Sequence, residues 1–226
     1  MSILKEWANG ISLDWLLNEI FVIIAAISAI SVHESAHGLM AYWLGDDTAK
    51  RAGRISLNPL KHIDILGLVM LAVAKFGWAK PVPVNMRRFK NQKLGMALTA
   101  LAGPVSNVLL AFVSTIFCCL TAYFYYRSGS EILYWVNTLF FYGQLINAGL
   151  AVFNLIPIPP LDGSKIFAII LPEKAHTFLM RYERYGFVIL AVFLFAGVLD
   201  TPLIFLRGGL ISGMEWLVTH TVLAFL

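Results

Sequence analysis

The chain has 226 residues, of which 59% are hydrophobic and 13% are charged, and its formal net charge at pH 7 is +4. Soluble proteins average about 45–50% apolar and about 25% charged residues, so this composition excludes an ordinary soluble domain. It indicates an integral membrane protein, whose partner is the lipid bilayer. The basic residues cluster in a loop between apolar segments, so the positive charge does not indicate binding of nucleic acid.

The first long apolar segment predicts a helix over residues 15–44, which ends before Gly45. At a rise of about 1.5 Å per residue this helix is roughly 45 Å long, which exceeds the roughly 30 Å hydrocarbon core of a bilayer. We therefore expect it to tilt or to protrude. The same rise places His37 about 10 Å from the Gly45 end, below one membrane face rather than at the midplane.

Three ionisable residues, His33, Glu34 and His37, lie within this apolar helix. Such residues are costly in a spanning helix, so they mark a functional site by default. Because positions four apart lie above one another on a helix, His33 and His37 present two imidazoles to one point. Glu34 is turned by about 100° and can reach a water at that point. The pattern is typical of zinc hydrolases, with two nitrogen ligands and a general base. The alternative is a polar cluster that joins helices.

Residues 46–94 are rich in Lys and Arg, and the positive-inside rule places this loop in the cytoplasm. Within it, residues 65–78 are apolar but short for a span, which is typical of a re-entrant or membrane-surface element. Residues 79–85 read AKPVPVN, and the prolines favour extended backbone and forbid a helix. We predict an edge strand there.

Four further apolar segments follow, at residues 94–126, 132–156, 186–205 and 210–226. Residues 165–171 are too short to span and are expected beside the site. The fold class is therefore an all-α polytopic membrane protein of about five to six transmembrane helices, with a short re-entrant or extended β element between the first two. Together with the His-Glu-x-x-His pattern, which is typical of metalloproteases, these segments lead us to expect that residues 1–226 form a single membrane-embedded metalloprotease domain, with a catalytic core of about residues 15–171 and C-terminal transmembrane helices of about 186–226.

A catalytic zinc normally has three protein ligands and one open position, and the first helix supplies only two. Asp162 is the best third ligand, because it follows the 132–156 span on the same side as the histidines. Three prolines between residues 157 and 160 break the helix there, and broken backbone at membrane depth must line a cavity or pack in protein. From spacing alone, Asp64 and His62 remain alternatives.

Several motifs, in order, resemble a known family. They are HESAH at residues 33–37, GPVSN at 103–107 and NLIPIPPLDG at 154–163, with GRISLNPLKHID at 53–64 and WAKPVPVN at 78–85 between the first two. This combination is similar to the site-2 protease family of intramembrane zinc metalloproteases, over residues 31–165. The sequence resembles a minimal form of that family, without PDZ or CBS domains.

The resemblance implies that His33, His37 and Asp162 bind one zinc ion per chain and that Glu34 is the catalytic base. It implies cleavage of a transmembrane segment of another membrane protein, in regulated intramembrane proteolysis or in clearance of membrane peptides. The alternative is a membrane metal-binding protein or transporter without proteolysis. Glu34 argues against that alternative, because a binding site needs no non-ligating carboxylate. We expect a cell (inner) membrane protein whose active site lies nearer the cytoplasmic face.

Two further groups have open roles. Asn107 and Asn154 lie in apolar helices, where their amides either join helices or orient the substrate and stabilise an oxyanion. Residues 81–84 either form only a surface strand or pair with an extended substrate. The residues in that second group are Pro81, Val82, Pro83 and Val84.

Overall fold

A computed structural model describes residues 12–65, 67, 79–172, 185–222 and 224. The elements in those residues are α-helices and two short 3-10 turns. The helices are α1 (Leu13–Trp43), α2 (Thr48–Arg51), α3 (Gln92–Ser128), α4 (Glu131–Asn154), α5 (Asp162–Phe167), α6 (Tyr185–Phe195) and α7 (Asp200–Thr221). The 3-10 turns, Pro59–Lys61 and Met86–Arg88, lie in the loop between α2 and α3.

Local side chains set the ends of the long helices. Ser12 Oγ accepts a hydrogen bond from Trp15 N at 3.1 Å and so caps α1, and Asn91 caps α3 in the same way. Gly129, with φ of +64°, ends α3 in the left-handed region that favours glycine. The bounds predicted for these two helices, 15–44 and 94–126, are confirmed to within about two residues at each end.

Three helices, α1, α3 and α4, are long and apolar enough to cross a membrane. Helices α6 and α7 pass the same test only together, and they are bent by 86° at the break between them. The described part of the chain therefore holds three candidate spans, or up to four, and the predicted count of about five to six is not confirmed. The break lies at residues 196–199, where Gly197 has φ of +68°, and not after residue 205 as the sequence pattern had indicated.

The helices pack through small side chains. Most of the fully buried apolar residues between α1, α3 and α4 are alanines, among them Ala25, Ala29, Ala97, Ala100, Ala111, Ala148 and Ala151. Lipid gives no hydrophobic force between helices, so small residues that let backbones approach closely favour association. At Gly143 of α4, an added Cβ would lie 2.8 Å from Ser114 Oγ of α3. These close contacts pack α1, α3 and α4 against one another.

Residues 79–85 form no strand beyond one antiparallel bridge between Ile63 and Ala79. The reason is that Pro81 and Pro83 have no N–H to donate. The N–H groups of Val82 and Asn85 donate to the carboxylates of Glu34 and Asp46 instead of to a neighbouring strand. The predicted edge strand is thus reduced to this bridge. The predicted re-entrant element at 65–78 lies almost wholly outside the described residues.

Asp46 anchors this loop just beyond α1. Its buried carboxylate accepts hydrogen bonds from Thr48 and from the backbone N–H of Asn85, the latter at 2.6 Å. Burial alone raises the pKa of Asp46, but these hydrogen bonds and the nearby Arg88 hold it below its ordinary value. The anchor joins the end of residues 79–85 to the end of α1.

Candidate metal centre

His33, His37 and Asp162 meet at one point in the helix bundle. Their potential ligand atoms all lie within 4.8 Å of one another. Asp162 Oδ2 is 3.1 Å from His33 Nε2 and 3.2 Å from His37 Nε2. All three side chains are buried. The structure therefore brings together the two α1 histidines with the best third ligand predicted from the sequence.

The far nitrogen of each imidazole is held by α3. His37 Nδ1 lies 2.7 Å from the backbone carbonyl oxygen of Thr99, and His33 Nδ1 lies 2.5 Å from Asn107 Oδ1. A carbonyl oxygen can only accept, so each Nδ1 carries its ring proton and donates it. Each Nε2 then faces Asp162 Oδ2, the direction in which a neutral imidazole would offer its lone pair to a metal ion.

This donor set fits a metal ion. Two Nε2 atoms and one carboxylate oxygen converge at about 3 Å in a buried site, so one cation bound between them would be shared by all three. Imidazole nitrogens with hydrogen-bonded Nδ1–H groups and a carboxylate are the ligands that zinc commonly takes. Three protein ligands leave a fourth position open for water or substrate.

The chain between α4 and α5 delivers Asp162 to this point. Asp162 is the first residue of α5, after the proline-rich segment that ends α4. Gly163 lies against the backbone of α4's end, where an added Cβ would lie 2.5 Å from the carbonyl carbon of Leu155. Glycine is therefore required beside Asp162 for this close approach.

The two alternative third ligands are engaged elsewhere. His62 is buried, and its Nε2 donates to the backbone oxygen of Ser56 at 2.7 Å. Asp64 Oδ1 accepts a hydrogen bond from Gly67 N at 3.0 Å. Neither belongs to a metal-binding cluster among the described residues.

Glu34 lies next to the cluster without joining it. Its side chain is half-buried, and Oε2 accepts a hydrogen bond from the backbone N–H of Val82 at 3.2 Å. No described residue shares the second oxygen in a hydrogen bond. A half-buried carboxylate therefore lies beside the ligands, with one oxygen held and the other unshared among the described residues.

Helix α3 crosses α1 directly over the histidines. At Gly103, an added Cβ would lie 2.6 Å from His33 Cε1 and closer still to the ring of His37. Only glycine permits this approach, which also brings the Thr99 carbonyl and Asn107 within reach of the rings. The first residue of the GPVSN motif, Gly103, is therefore required because a side chain would collide with the histidine rings. The last residue, Asn107, supplies the oxygen that contacts His33.

Asn107 and Asn154 differ in their surroundings. Asn107 is fully buried: its Oδ1 faces His33, and its Nδ2 donates to Asn147 Oδ1 at 2.8 Å and to Ala29 O at 3.2 Å. The structure therefore places Asn107 behind a ligand, where it joins three helices. Asn154 donates only to Leu150 O in its own helix among the described residues.

Replacing Asn107 by leucine is expected to weaken zinc affinity by about 10–100-fold, because His33 loses the acceptor that fixes its tautomer and orientation. Affinity is measured by chelator competition on purified protein whose helicity is checked by circular dichroism. The matched control, Asn154→Leu, should keep zinc affinity within about 2-fold, since its amide contacts no ligand. Equal losses in the two variants would contradict this role of Asn107.

Two polar contacts of the site had no signal in the sequence. The partner of His37 is a backbone carbonyl, at Thr99, and the partner of Glu34 is a backbone N–H, at Val82. Every residue has a carbonyl and every residue except proline has an N–H, so residue types alone cannot reveal which of these groups are used. The Val-Pro alternation around Val82 was the only local hint, because it leaves one N–H in three residues.

Comparison with known proteins gives one family. The model of "Peptidase family M50" matches residues 124–197, which include Asp162. "Putative zinc metalloprotease YwhC" of Bacillus subtilis is 41% identical over 176 residues, covering 76% of this chain and 78% of that protein. "Putative zinc metalloprotease Rip2" of Mycolicibacterium smegmatis is 30% identical over 185 residues, covering 80% and 69%. "Putative zinc metalloprotease MJ0611" of Methanocaldococcus jannaschii is 33% identical over 147 residues, covering 65% and 69%. No solved structure matches the chain.

Proposed function

The chain belongs to peptidase family M50, the zinc metallopeptidase family that includes the site-2 proteases, and from that membership we propose that it cleaves a transmembrane segment of another membrane protein. The observation that carries the proposal is the convergence of His33, His37 and Asp162 beside Glu34, where α1, the helix of the two histidines and Glu34, is long enough to span a bilayer. A buried ligand set with an unshared carboxylate suits hydrolysis better than metal storage. The site draws on α1, α3 and α5, so residues 15–171 are the catalytic core of one membrane-embedded domain.

His33, His37 and Asp162 would hold the zinc ion. Bound there, zinc would polarise the scissile carbonyl and make an attacking water more acidic. The protein's own part is orientation: Asn107 and the Thr99 carbonyl keep both rings in one tautomer and one direction. Burial of the cluster strengthens these interactions, since little water is present to screen them.

Glu34 is the general base of this proposal. It takes the proton from the attacking water and later passes it to the leaving amine, so a single carboxylate serves both steps. Val82 N–H holds one oxygen, Oε2, which leaves the other to carry the proton. The shuttle requires no other titratable side chain from the described residues.

The substrate has to unwind locally. A helical segment hides its carbonyls in its own hydrogen bonds, so a peptide bond becomes open to attack only where the helix is broken. We therefore expect substrates with helix-breaking residues near the cut. Asn154, whose amide contacts no other helix among the described residues, is the better of the two asparagines to orient the substrate. Pro81 and Pro83 offer carbonyl acceptors for an extended substrate.

The active site lies nearer the cytoplasmic face of the cell membrane in this proposal. The loop before α3 carries most of the basic residues, while the turn after α3 is nearly neutral. Helix α3 has 37 residues and is about 55 Å long, so its two ends lie on opposite sides. His37 lies within two turns of the end of α1 that joins the basic loop.

Cysteine labelling should therefore find positions 61 and 87 open from the cytoplasm and position 128 open from the other side. The variants Lys61→Cys, Arg87→Cys and Ser128→Cys place thiols at exposed sites, in a background where Cys118 and Cys119 are replaced by alanine. Ser128 is chosen because the positive φ of Gly129 would strain a cysteine there. Labelling of position 128 from the cytoplasm would invert the orientation.

Peptidomics of membranes tests the proposed function directly. Cells with the wild-type protein should accumulate fragments that end within apolar segments of membrane proteins, and cells with Glu34→Gln should lack them. Identical fragment sets, together with normal zinc content in both proteins, would favour a metal-binding or transport protein instead.

A further inference from the structure

The base candidate Glu34 is held by a segment that has little structure of its own. Val82 N–H donates to Glu34 Oε2, and the same residue packs on α1, where an added Cβ at Gly38 would lie 3.4 Å from Val82 Cγ1. Between residues 81 and 83, Val82 alone has an N–H. No neighbouring amide can therefore replace it if the segment shifts.

Residues 79–85 are fixed at two points on either side of Val82. On one side, Lys80 N donates to His62 O at 2.9 Å, and Lys80 O accepts from Arg54 Nη2 at 2.5 Å. On the other side, Asn85 N donates to Asp46. Lys80 is only two residues from Val82, so its anchor sets where the Val82 amide lies.

The anchor at Lys80 leads back to the catalytic helix. Ser35, the neighbour of Glu34, donates from Oγ to Ser56 O at 2.6 Å and accepts from Ser56 N at 3.2 Å. Ser56 O also accepts from His62, whose own carbonyl binds Lys80. Together with the Val82–Glu34 hydrogen bond and the backbone that joins these residues, the hydrogen bonds form a closed ring that starts and ends beside Glu34.

Arg54 holds this ring at the Lys80 carbonyl, and its side chain is buried, with 8% of the residue's surface exposed. Buried charges are normally paired with an opposite charge. Arg54 has no carboxylate partner among the described residues, and its Nε has no hydrogen-bond partner among them either. Its Nη2 instead donates to the Lys80 carbonyl, which a rigid, always charged guanidinium can hold firmly.

We propose that Arg54 is a positioning residue for Glu34: it clamps the Lys80 carbonyl and so holds the Val82 amide against the base. This inference rests on the proposed function. A fixed Val82 amide keeps one carboxylate oxygen in place, so the other stays aimed for proton transfer. Arg54 touches neither substrate nor metal, and its effect on cleavage passes through Lys80 and Val82.

Arg54→Gln should lower kcat by about 10-fold, because small misplacements of catalytic groups are costly, while KM and zinc content stay within about 2-fold of wild type. Arg54→Lys should recover kcat to within about 3-fold, since one ammonium donor can still reach the Lys80 carbonyl. The matched control is Arg87→Gln, an exposed arginine of the same loop, which should behave as wild type. A raised KM with unchanged kcat would overturn the proposal and make the segment a substrate clamp.

A double variant separates positioning of the base from general destabilisation. In a Glu34→Gln background the base is absent, so adding Arg54→Gln should change the residual rate by less than about 2-fold. A further 10-fold loss in that background would show that Arg54 acts on something other than Glu34, and the proposal would be wrong.

Hydrogen–deuterium exchange gives a readout that needs no cleavage. In Arg54→Gln, but not in Arg87→Gln, the amides of Val82 and Val84 should exchange at least about 10-fold faster, because the Lys80 carbonyl loses its clamp. Unchanged exchange would refute the clamp even if the enzyme is active. If the wild-type protein cleaves nothing, the proposed function fails, and exchange still decides whether Arg54 holds the segment.

Discussion

Glutamine in place of Glu34 is expected to lower the cleavage rate by at least about 10²-fold while zinc stays bound, which is the scale of losing a general base. Glutamine has nearly the size and shape of glutamate but cannot accept a proton from water at neutral pH. Its amide oxygen can still accept the hydrogen bond from Val82. The variant therefore removes the proton shuttle without removing the geometry around it.

The measurement pairs two quantities on the same preparation. Purified wild-type and Glu34→Gln protein are reconstituted with a single-span substrate, and cleavage is followed alongside zinc content by mass spectrometry. The uncut substrate should co-purify with Glu34→Gln, because binding does not depend on the base. His33→Ala is the contrasting variant, since it should lose cleavage and zinc together.

A near wild-type rate in Glu34→Gln with zinc bound would show that the proposed proton transfer is wrong. Loss of zinc from Glu34→Gln would be a different failure, because it would make Glu34 a ligand. The structure argues against that second outcome, as the Glu34 carboxylate lies outside the cluster formed by His33, His37 and Asp162.

The candidate site was predictable where covalent spacing determines geometry. Helical spacing alone brings His33 and His37 to one face, and the break after α4 was a sufficient reason to consider Asp162. Spacing could not exclude His62, because a loop histidine has no fixed direction. What sets His62 apart is its position in the folded loop, because among the described residues it does not belong to the cluster of His33, His37 and Asp162.

The fold was predictable where caps and apolar runs coincide, as at both ends of α1 and α3. It was not predictable in the last third of the chain, where apolar residues continue through the bend at 196–199. An all-apolar run has no periodicity that marks a turn. Gly197 followed by Asp200 was the available signal, since glycine permits positive φ and aspartate favours the first turn of a helix.

Zinc content should be about one ion per chain in the wild-type protein and close to zero in His33→Ala, His37→Ala and Asp162→Ala, because a catalytic site has three protein ligands. The three side chains are the described residues that form a cluster able to hold a metal ion, so none has a substitute nearby. When alanine replaces one of the three, the other two ligand side chains stay buried but lose the cation that they share.

Asp64→Ala is the matched control for Asp162→Ala, because it removes the same group from the alternative ligand that spacing left open. Asp64 accepts a hydrogen bond from Gly67 N in its own loop, so zinc should stay in that variant. Each protein is purified without added metal, dialysed and measured by mass spectrometry, with circular dichroism as the check of folding. Full zinc in Asp162→Ala together with zinc loss in Asp64→Ala would exchange the two roles. Since Asp162 is 3.1 Å and 3.2 Å from the two histidine nitrogens, we expect the opposite result.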